Sequence, residues 1–274
     1  MGKERGGAEH GPFDLVVDAS GLRSALRTVH AELRLDRPNP YGALWGVVAE
    51  PPDWPHRHQL RQCYDGASVM VGVLPIGRRP GDNRQLAAFF WSLRVADFTA
   101  WRDADFGAWQ ERVTTLWPDV RPFVTQFAAA TDLALAVYAD TVLARPWIER
   151  LVFIGDAART ASPQLGQGAN LALIDAMTLA ACLEVHATLP VALDTYARTR
   201  LAHSRFYGLA SRWLTPFFQS DSRAAGLIRD LAFGPMRHVP YLRAEMARTL
   251  AGVKTGLFTQ LDPGDWHERY RNGA

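Results

Sequence analysis

The residues best placed to do chemistry follow a short apolar run in the middle of the chain. Leu151 to Ile154 are all apolar and lead into Gly155 and Asp156, a pattern typical of a buried strand in a layered α/β domain. Open α/β sheets bind ligands at the carboxyl ends of such strands, where a carboxylate can accept hydrogen bonds from ligand hydroxyls. Gly155 allows the backbone to turn and a ligand to approach closely. The pattern therefore predicts a ligand site at Asp156.

The loop after Asp156 leads into a helix whose start should attract negative charge. Pro163 stiffens this loop, and Gly166 and Gly168 free the backbone to aim N–H groups at one point. A helix is predicted to open near Ala169 and Asn170, where the helix dipole favours an anionic group. Four residues at helical spacing are expected to form the buried face of this helix: Ala172, Ala176, Leu179 and Leu183.

A second segment near the amino terminus has a similar layout. Phe13 to Arg27 reads FDLVVDASGLRSALR, which predicts a strand at Leu15 to Val17, a turn at Gly21 and a helix capped by Ser24. Arg27 can hold the turn or offset nearby phosphate charge. Both segments therefore predict a strand, a turn and a helix.

These two segments together resemble the FAD-dependent aromatic hydroxylases, the single-component flavoprotein monooxygenases. GDAA, Pro163, GQGAN and Asp175-Ala176 are similar to the third flavin-binding motif of that family, and DLVVDASG is similar to its Asp-Gly motif. The resemblance implies that Asp156 holds the ribityl chain of FAD. It also implies that backbone N–H groups face the pyrimidine end of the flavin ring. The implied cofactor-binding residues are Gly155, Asp156, Pro163, Gly166, Gly168, Ala169, Asn170 and Arg27.

Three positions depart from the family pattern. Asp18 stands where the family has glycine, and Ser20 stands where it has an aspartate linked to both FAD and the nicotinamide cofactor. Arg159 replaces a frequent histidine. We therefore assign no NAD(P)H role to the Asp-Gly motif, and neither a catalytic residue nor a general base is identified.

The resemblance also implies a function. In this family NAD(P)H reduces FAD, and oxygen then forms a C4a-hydroperoxyflavin that oxygenates a small aromatic or polyprenyl-like substrate. Such enzymes open with a G-x-G-x-x-G dinucleotide-binding unit that needs about 30 residues. Met1 to Pro12 has no apolar run and is expected not to supply it. The alternative is therefore a non-catalytic remnant or subunit that does not bind FAD alone, or a chain that needs a partner segment.

The fold implied is α/β (α+β): an incomplete FAD-binding Rossmann-like domain, an inserted mainly antiparallel sheet and a helical tail. Its expected domains are residues 1–40 with 140–190, then 41–139, then 191–274. Within the insert, strands are predicted at Tyr41–Ala49, Ser68–Ile76, Gln85–Leu93 and Leu133–Ala139. Four aromatic residues there suit either a substrate surface or ordinary core packing: Trp45, Phe89, Phe90 and Trp91.

The carboxyl-terminal region is predicted to be helical over Val191–Phe218 and Arg223–Leu250. Its polar residues Tyr196, Arg200, His203 and Arg205 are expected on a solvated face. An apolar cluster on the same region fits three alternatives: tail packing, a partner subunit such as a second copy, or peripheral membrane contact. That cluster comprises Trp213, Leu214, Phe217 and Phe218.

Composition narrows the remaining classes of function. The 274 residues include 30 basic and 28 acidic side chains, for a formal charge of +2, and no lysine-arginine block, so nucleic acid is not an expected partner. Cys63 and Cys182 are the only cysteines. The sequence shows no recognisable signal peptide and no membrane-length apolar run. Together with the low cysteine content, this predicts a location in the reducing cytoplasm. His56 and His58 lack a third ligand of suitable spacing, so no metal site is predicted.

Overall fold

The chain folds into two compact units. The computed structural model describes residues 2–3, 9–236 and 238–261. Among these, unit 1 takes in residues up to 37, 139–213 and from 240 onwards, and unit 2 takes in 38–138 and 214–239. The residues predicted as one helical region, 191–274, are divided between the two units. The prediction for Met1 to Pro12 falls in part outside the described residues.

The structure combines strands and helices, which confirms the predicted mixed fold class. The strands are β1 Gly2–Lys3, β2 Glu9–His10, β3 Val16–Asp18, β4 Leu33–Ala49, β5 Arg61–Asp65, β6 Val69–Gly77, β7 Leu86–Arg94, β8 Ala134–Leu143, β9 Trp147–Ile148, β10 Leu151–Phe153 and β11 Arg159–Thr160. The helices are α1 Ala25–His30, α2 Phe98–Arg102, α3 Phe106–Leu116, α4 Arg121–Val124, α5 Gly168–Val185, α6 Leu189–Phe218, α7 Arg223–Met236 and α8 Pro240–Leu250.

Unit 1 is built on a small sheet with the order β3-β10-β9. Strand β10 runs parallel to β3 and antiparallel to β9, so the two predicted motif strands are neighbours. Val152 of β10 packs with residues of α5 and α6 in one apolar cluster: Leu179, Cys182, Ala192, Leu193 and Tyr196. This cluster fixes both helices against β10, the strand that leads into the turn at Gly155.

Unit 2 contains a mainly antiparallel sheet in the order β8-β4-β7-β6-β5. All four predicted strands are present. The structure adds β5, a short edge strand with a largely polar sequence, and extends β4 back to Leu33 through a stretch that contains two prolines. Neither feature carries the apolar alternation by which strands are recognised.

The two faces of this sheet separate the four aromatic candidates. Phe89 and Trp91 are 0% and 4% exposed and belong to the core, where the Phe89 ring lies 6.1 Å from that of Trp109 on α3. Trp45 is 46% exposed and lies opposite Phe90 in the ladder. Because facing residues of antiparallel strands share one side, Trp45 and Phe90 form an apolar surface on the other face.

The part of the tail that belongs to unit 2 packs within that unit through its aromatic residues. The rings of Phe217 and Phe218 lie 5.7 and 5.8 Å from that of Phe233 on α7, and the Arg229 guanidinium lies 4.3 Å from the Tyr64 ring. Tail packing therefore accounts for these two phenylalanines. Trp213 remains 75% exposed.

Helix α5 satisfies, by length and composition alone, the criterion for a membrane-spanning helix over its 18 residues. The sequence expectation of no such run was wrong in this respect. The helix nevertheless carries the fully buried Asp175, which is ion-paired with two arginines of the same unit. This pairing is that of a helix within a folded α/β unit.

We expect Phe89→Ala to destabilise the protein strongly. Removing a fully buried ring leaves a cavity beside Trp109 and Phe127 and costs about 3–5 kcal/mol. Trp45→Ala, in the facing strand but half exposed, should cost much less. Chemical denaturation followed by circular dichroism measures both, and equal losses would contradict the assignment of faces.

Candidate functional site

The turn after β10 requires glycine at position 155. Gly155 has φ of +57°, and a Cβ atom there would lie 2.9 Å from the Cβ of Ala172 on α5. Its N–H donates to Asp175 Oδ2 at 2.9 Å. The turn after β10 and helix α5 are thus in direct contact, and any side chain at position 155 would push them apart.

Asp156 presents a carboxylate at the end of this strand. The residue is exposed, and its side chain makes no hydrogen bond within the described part of the chain. Desolvation raises the pKa of Asp156 above its ordinary value, while the charge of Arg27 opposes this shift. Because no described residue donates a hydrogen bond to this carboxylate, it is free to accept hydrogen bonds from a ligand.

Arg27 holds the two motifs together. Its Nη1 donates to the backbone carbonyls of Asp156 at 3.0 Å and Ala157 at 3.3 Å, and its Nη2 donates to Leu22 O. Of the two roles open from sequence, the structure shows the holding of the turn. The predicted cap is also confirmed, because Ser24 Oγ accepts from Arg27 N at 2.8 Å.

The glycine-rich loop ends at a helix start with unpaired amides. Pro163 opens a short 3₁₀ turn that closes at Gly166, which has φ of +62°. Helix α5 then begins at Gly168. The first hydrogen bond of the helix is donated by Leu171 N to Gln167 O at 2.9 Å. The N–H groups of Gly168, Ala169 and Asn170 have no acceptor among the residues described. These donors carry the positive end of the helix dipole.

The departures at Asp18 and Ser20 compensate each other. Asp18 is 3% exposed, and its Oδ1 accepts from Ser20 N at 2.9 Å and Ser20 Oγ at 2.6 Å, while Oδ2 accepts from Ser24 Oγ. Burial alone would raise the pKa of Asp18, but these hydrogen bonds keep it below its ordinary value. The carboxylate therefore stabilises the turn at Gly21 from within.

A buried cluster of charge lies behind the turn, formed by Asp175, Arg159, Arg200 and His203 and here named the Asp175 cluster. Asp175 accepts from Arg159 Nη2 at 3.1 Å and from Arg200 Nε at 2.6 Å. Arg200 Nη1 contacts His203 Nδ1, and His203 Nε2 lies 2.8 Å from Gly252 O. The cluster thus connects β11, α5, α6 and the turn after α8.

The Asp175 cluster overturns the solvated-face prediction for Tyr196, Arg200 and His203. They are 0%, 3% and 0% exposed, because α6 turns this stripe inward and Asp175 compensates the arginine charge. Only Arg205 is exposed as predicted. The signal that could have located the cluster was Asp175, a lone acid within an otherwise apolar helix.

The buried face of α5 also differs from the prediction. It comprises Asp175, Thr178, Leu179 and Cys182, while Ala176 and Leu183 are exposed. The helix is rotated because Asp175 must face its two arginines. Ala172 still packs closely, against Gly155.

The turn at Gly252 secures the start of α5. Gly252 has φ of +79°, and a Cβ atom there would overlap Asn170 Nδ2 at 1.8 Å. Gln167 Nε2 donates to Leu250 O at 2.7 Å, and Tyr207 Oη donates to Thr249 O at 2.9 Å. The chain after α8 therefore contacts the loop that carries the unpaired amides.

In the residues described, no group of three acidic, histidine or cysteine side chains could hold a metal ion.

Comparison with known proteins identifies the family. A profile for an FAD-binding domain matches residues 11–206, more than half of the chain and all of both motifs. The chain belongs to the FAD-dependent aromatic hydroxylase family. The resemblance drawn from the two motifs is thereby confirmed.

Individual proteins match over most of this chain. Aurachin C monooxygenase/isomerase of Stigmatella aurantiaca is 28% identical over 227 residues, covering 79% of this chain and 55% of that protein. PqsL of Pseudomonas aeruginosa, solved with 2-aminobenzoylacetate, superposes with a TM-score of 0.65 at 22% identity over 78% of this chain and 58% of its own. HpxO of Klebsiella pneumoniae, solved with FAD and uric acid, gives a TM-score of 0.71 at 18% identity, covering 93% and 64%. The chain thus spans between 55% and 64% of the length of these relatives.

We expect Asp175→Asn to destabilise unit 1 strongly. Without the carboxylate, the charges of Arg159 and Arg200 are buried uncompensated, which costs about 3–5 kcal/mol. Glu184→Gln, at an exposed position of the same helix, should change the free energy of unfolding by no more than about 0.5 kcal/mol. Denaturation curves of both variants test this, and an unchanged Asp175→Asn protein would refute it.

The Asp175 cluster also predicts a pH dependence. Burial lowers the pKa of His203 to about 4, and the charge of Arg200 acts in the same direction. A histidine in the unfolded chain has a pKa of about 6.5. Between about pH 6.5 and 4 the unfolded chain therefore binds a proton at His203 that the native state does not bind. The contribution of His203 is complete above about pH 6.5 and declines as the pH falls towards 4.

The measurement is the free energy of unfolding between these pH values. His203→Asn keeps an acceptor for Arg200 but cannot titrate, so its loss of stability on acidification should be smaller than that of the parent protein. Parallel profiles for the two proteins would show that His203 is not the group responsible.

Proposed function

We propose that this chain forms part of an FAD-dependent monooxygenase and contributes the flavin-ring side of its cofactor site. The observation that carries the proposal is that the free Asp156 carboxylate and the unpaired amides at the start of α5 lie on neighbouring elements, which the contacts of Gly155 with α5 hold together. An acceptor for hydroxyls beside donors for an electron-rich ring fits the chemistry of a flavin and its ribityl chain.

The residues present divide the work of holding FAD. Asp156 would accept from the ribityl hydroxyls, and the N–H groups of Gly168, Ala169 and Asn170 would donate to the pyrimidine edge of the ring. Pro163 and Gly166 shape the loop that brings them there, and Arg27 fixes the backbone of Asp156. When bound, FAD supplies the redox chemistry that uses NAD(P)H and oxygen.

We propose a small aromatic or polyprenyl-like compound as the substrate. Trp45 and Phe90 present an apolar aromatic surface on the face of the unit 2 sheet opposite to its core, and such surfaces suit flat apolar ligands. The solved relatives named with 2-aminobenzoylacetate and uric acid also act as precedents for small ligands in this family. NAD(P)H as reductant and a cytoplasmic location belong to the same proposal.

The second candidate is a subunit that does not bind FAD alone. The chain spans little more than half of the relatives it matches, and any cofactor contact that this chain does not itself provide would lower its affinity, by tenfold for about 1.4 kcal/mol. A partner segment would then complete the site.

Titration with FAD distinguishes these candidates. We expect the protein to bind FAD, with perturbation of the visible flavin bands, and Asp156→Ala to weaken binding by about tenfold or more. Asp14→Ala, which removes an exposed acid of the same unit, is the matched control. Absence of binding by the unaltered protein would favour the subunit, and equal affinity of the two variants would remove Asp156 from the site.

A further inference from the structure

A second site lies in unit 1, along α6. A groove of about 580 Å³ is bounded by one stripe of α6, the start of β4 and the end of β8. Arginines dominate its charged lining, and none of the residues that line it is acidic. These arginines are Arg34, Arg37, Arg159, Arg200, Arg205 and Arg212.

The positive charge of this arginine groove is only partly compensated. Asp175 pairs with Arg159 and Arg200, and Asp140 interacts electrostatically with Arg212 and Arg37. Arg34 and Arg205 form no ion pair or side-chain hydrogen bond with any residue that the structure describes. Two carboxylates therefore face six guanidinium groups, which leaves an excess of positive charge.

One arginine of the groove has an unsatisfied donor. Arg200 is 3% exposed, yet its Nη2 has no hydrogen-bond partner among the described residues. A buried donor without an acceptor destabilises the native state. An anionic group in the groove is the kind of partner that would satisfy it, because guanidinium groups bind carboxylate and phosphate oxygens in a planar fork.

The remaining lining is apolar and elongated. Leu143, Leu201 and Leu209 line the groove between the arginines. On α6 the stripe extends from Tyr196 to Arg212, which at 1.5 Å per residue is about 24 Å. Gly208 lies within the stripe, and a Cβ atom there would have no neighbour within 4 Å. The ligand must therefore be long, with its charges spaced along an apolar body.

We propose that the arginine groove binds an elongated organic anion that carries at least two phosphate or carboxylate groups. None of the residues assigned to the flavin lines this groove, so the site is separate and does not depend on the proposed cofactor. Nucleotides and long aliphatic dicarboxylates share the required chemistry.

Calorimetric titration with ADP and with decanedioate at ~0.15 M salt tests the proposal. We expect at least one of them to bind with a dissociation constant of about 10–100 µM, and more tightly than pyrophosphate, which has the charge but no apolar or aromatic body. The tighter of the two identifies the source of the ligand. Failure of both to bind, or pyrophosphate binding as tightly, would overturn the proposal.

Two pairs of variants locate the binding. Arg34→Ala with Arg205→Ala should weaken it at least about tenfold, whereas Arg198→Ala with Arg243→Ala removes two exposed arginines outside the groove and should not. Gly208→Leu should fill the groove and block binding while the fold is retained, since leucine favours the helix over glycine. Gly234→Leu, at a helical glycine of α7 with the same open surroundings, is its control. Equal affinities within either pair would place the ligand elsewhere.

Discussion

The buried carboxylate of Asp175 is the constraint on which unit 1 depends. It accepts from the Gly155 amide, Arg159 and Arg200 at once, and so joins the strand end to two helices. Removing ions from water costs several kcal/mol each, which is recovered only when geometry and hydrogen bonding are nearly complete. The cluster therefore permits one arrangement of β10, α5 and α6. That arrangement places Asp156 and the amides of α5 on neighbouring elements.

The candidate cofactor site depends on the Asp175 cluster for its geometry, because the groups of the site have no hydrogen-bond partners of their own among the described residues. The Asp156 carboxylate and the first amides of α5 are left without partners in the described structure, and unpaired groups of this kind are costly unless water or a ligand meets them. Arg27 on one side and the Gly252 turn on the other fix the backbone that carries them. Rigid surroundings with free donors and acceptors are what a binding site requires.

Sequence predicted the strands and turns of both motifs because apolar runs that end at glycine are local signals. Gly155, Ser24 and the four strands of unit 2 follow from such signals. The rotation of α5 and the burial of Tyr196, Arg200 and His203 could not be predicted in the same way, since they depend on an ion pair between residues 25 positions apart in the chain. A polar side chain predicts solvent exposure only when no buried partner of complementary charge or hydrogen bonding is available to it. The hydrogen bonds of Asp18 could not be predicted for the same reason, because only the folded turn at Gly21 brings Ser20 and Ser24 to its carboxylate.

The same ion pair connects the two sites of unit 1. Asp175 can compensate one positive charge fully, but it faces two arginines, and both also line the arginine groove. The geometry that secures the turn at Gly155 thus leaves uncompensated charge along α6, where Nη2 of the buried Arg200 has no hydrogen-bond partner among the described residues. A positive charge that is incompletely neutralised inside a protein attracts anions electrostatically. The arginine groove is therefore a consequence of how the flavin-side turn is held in place, even though no residue assigned to the flavin lines it.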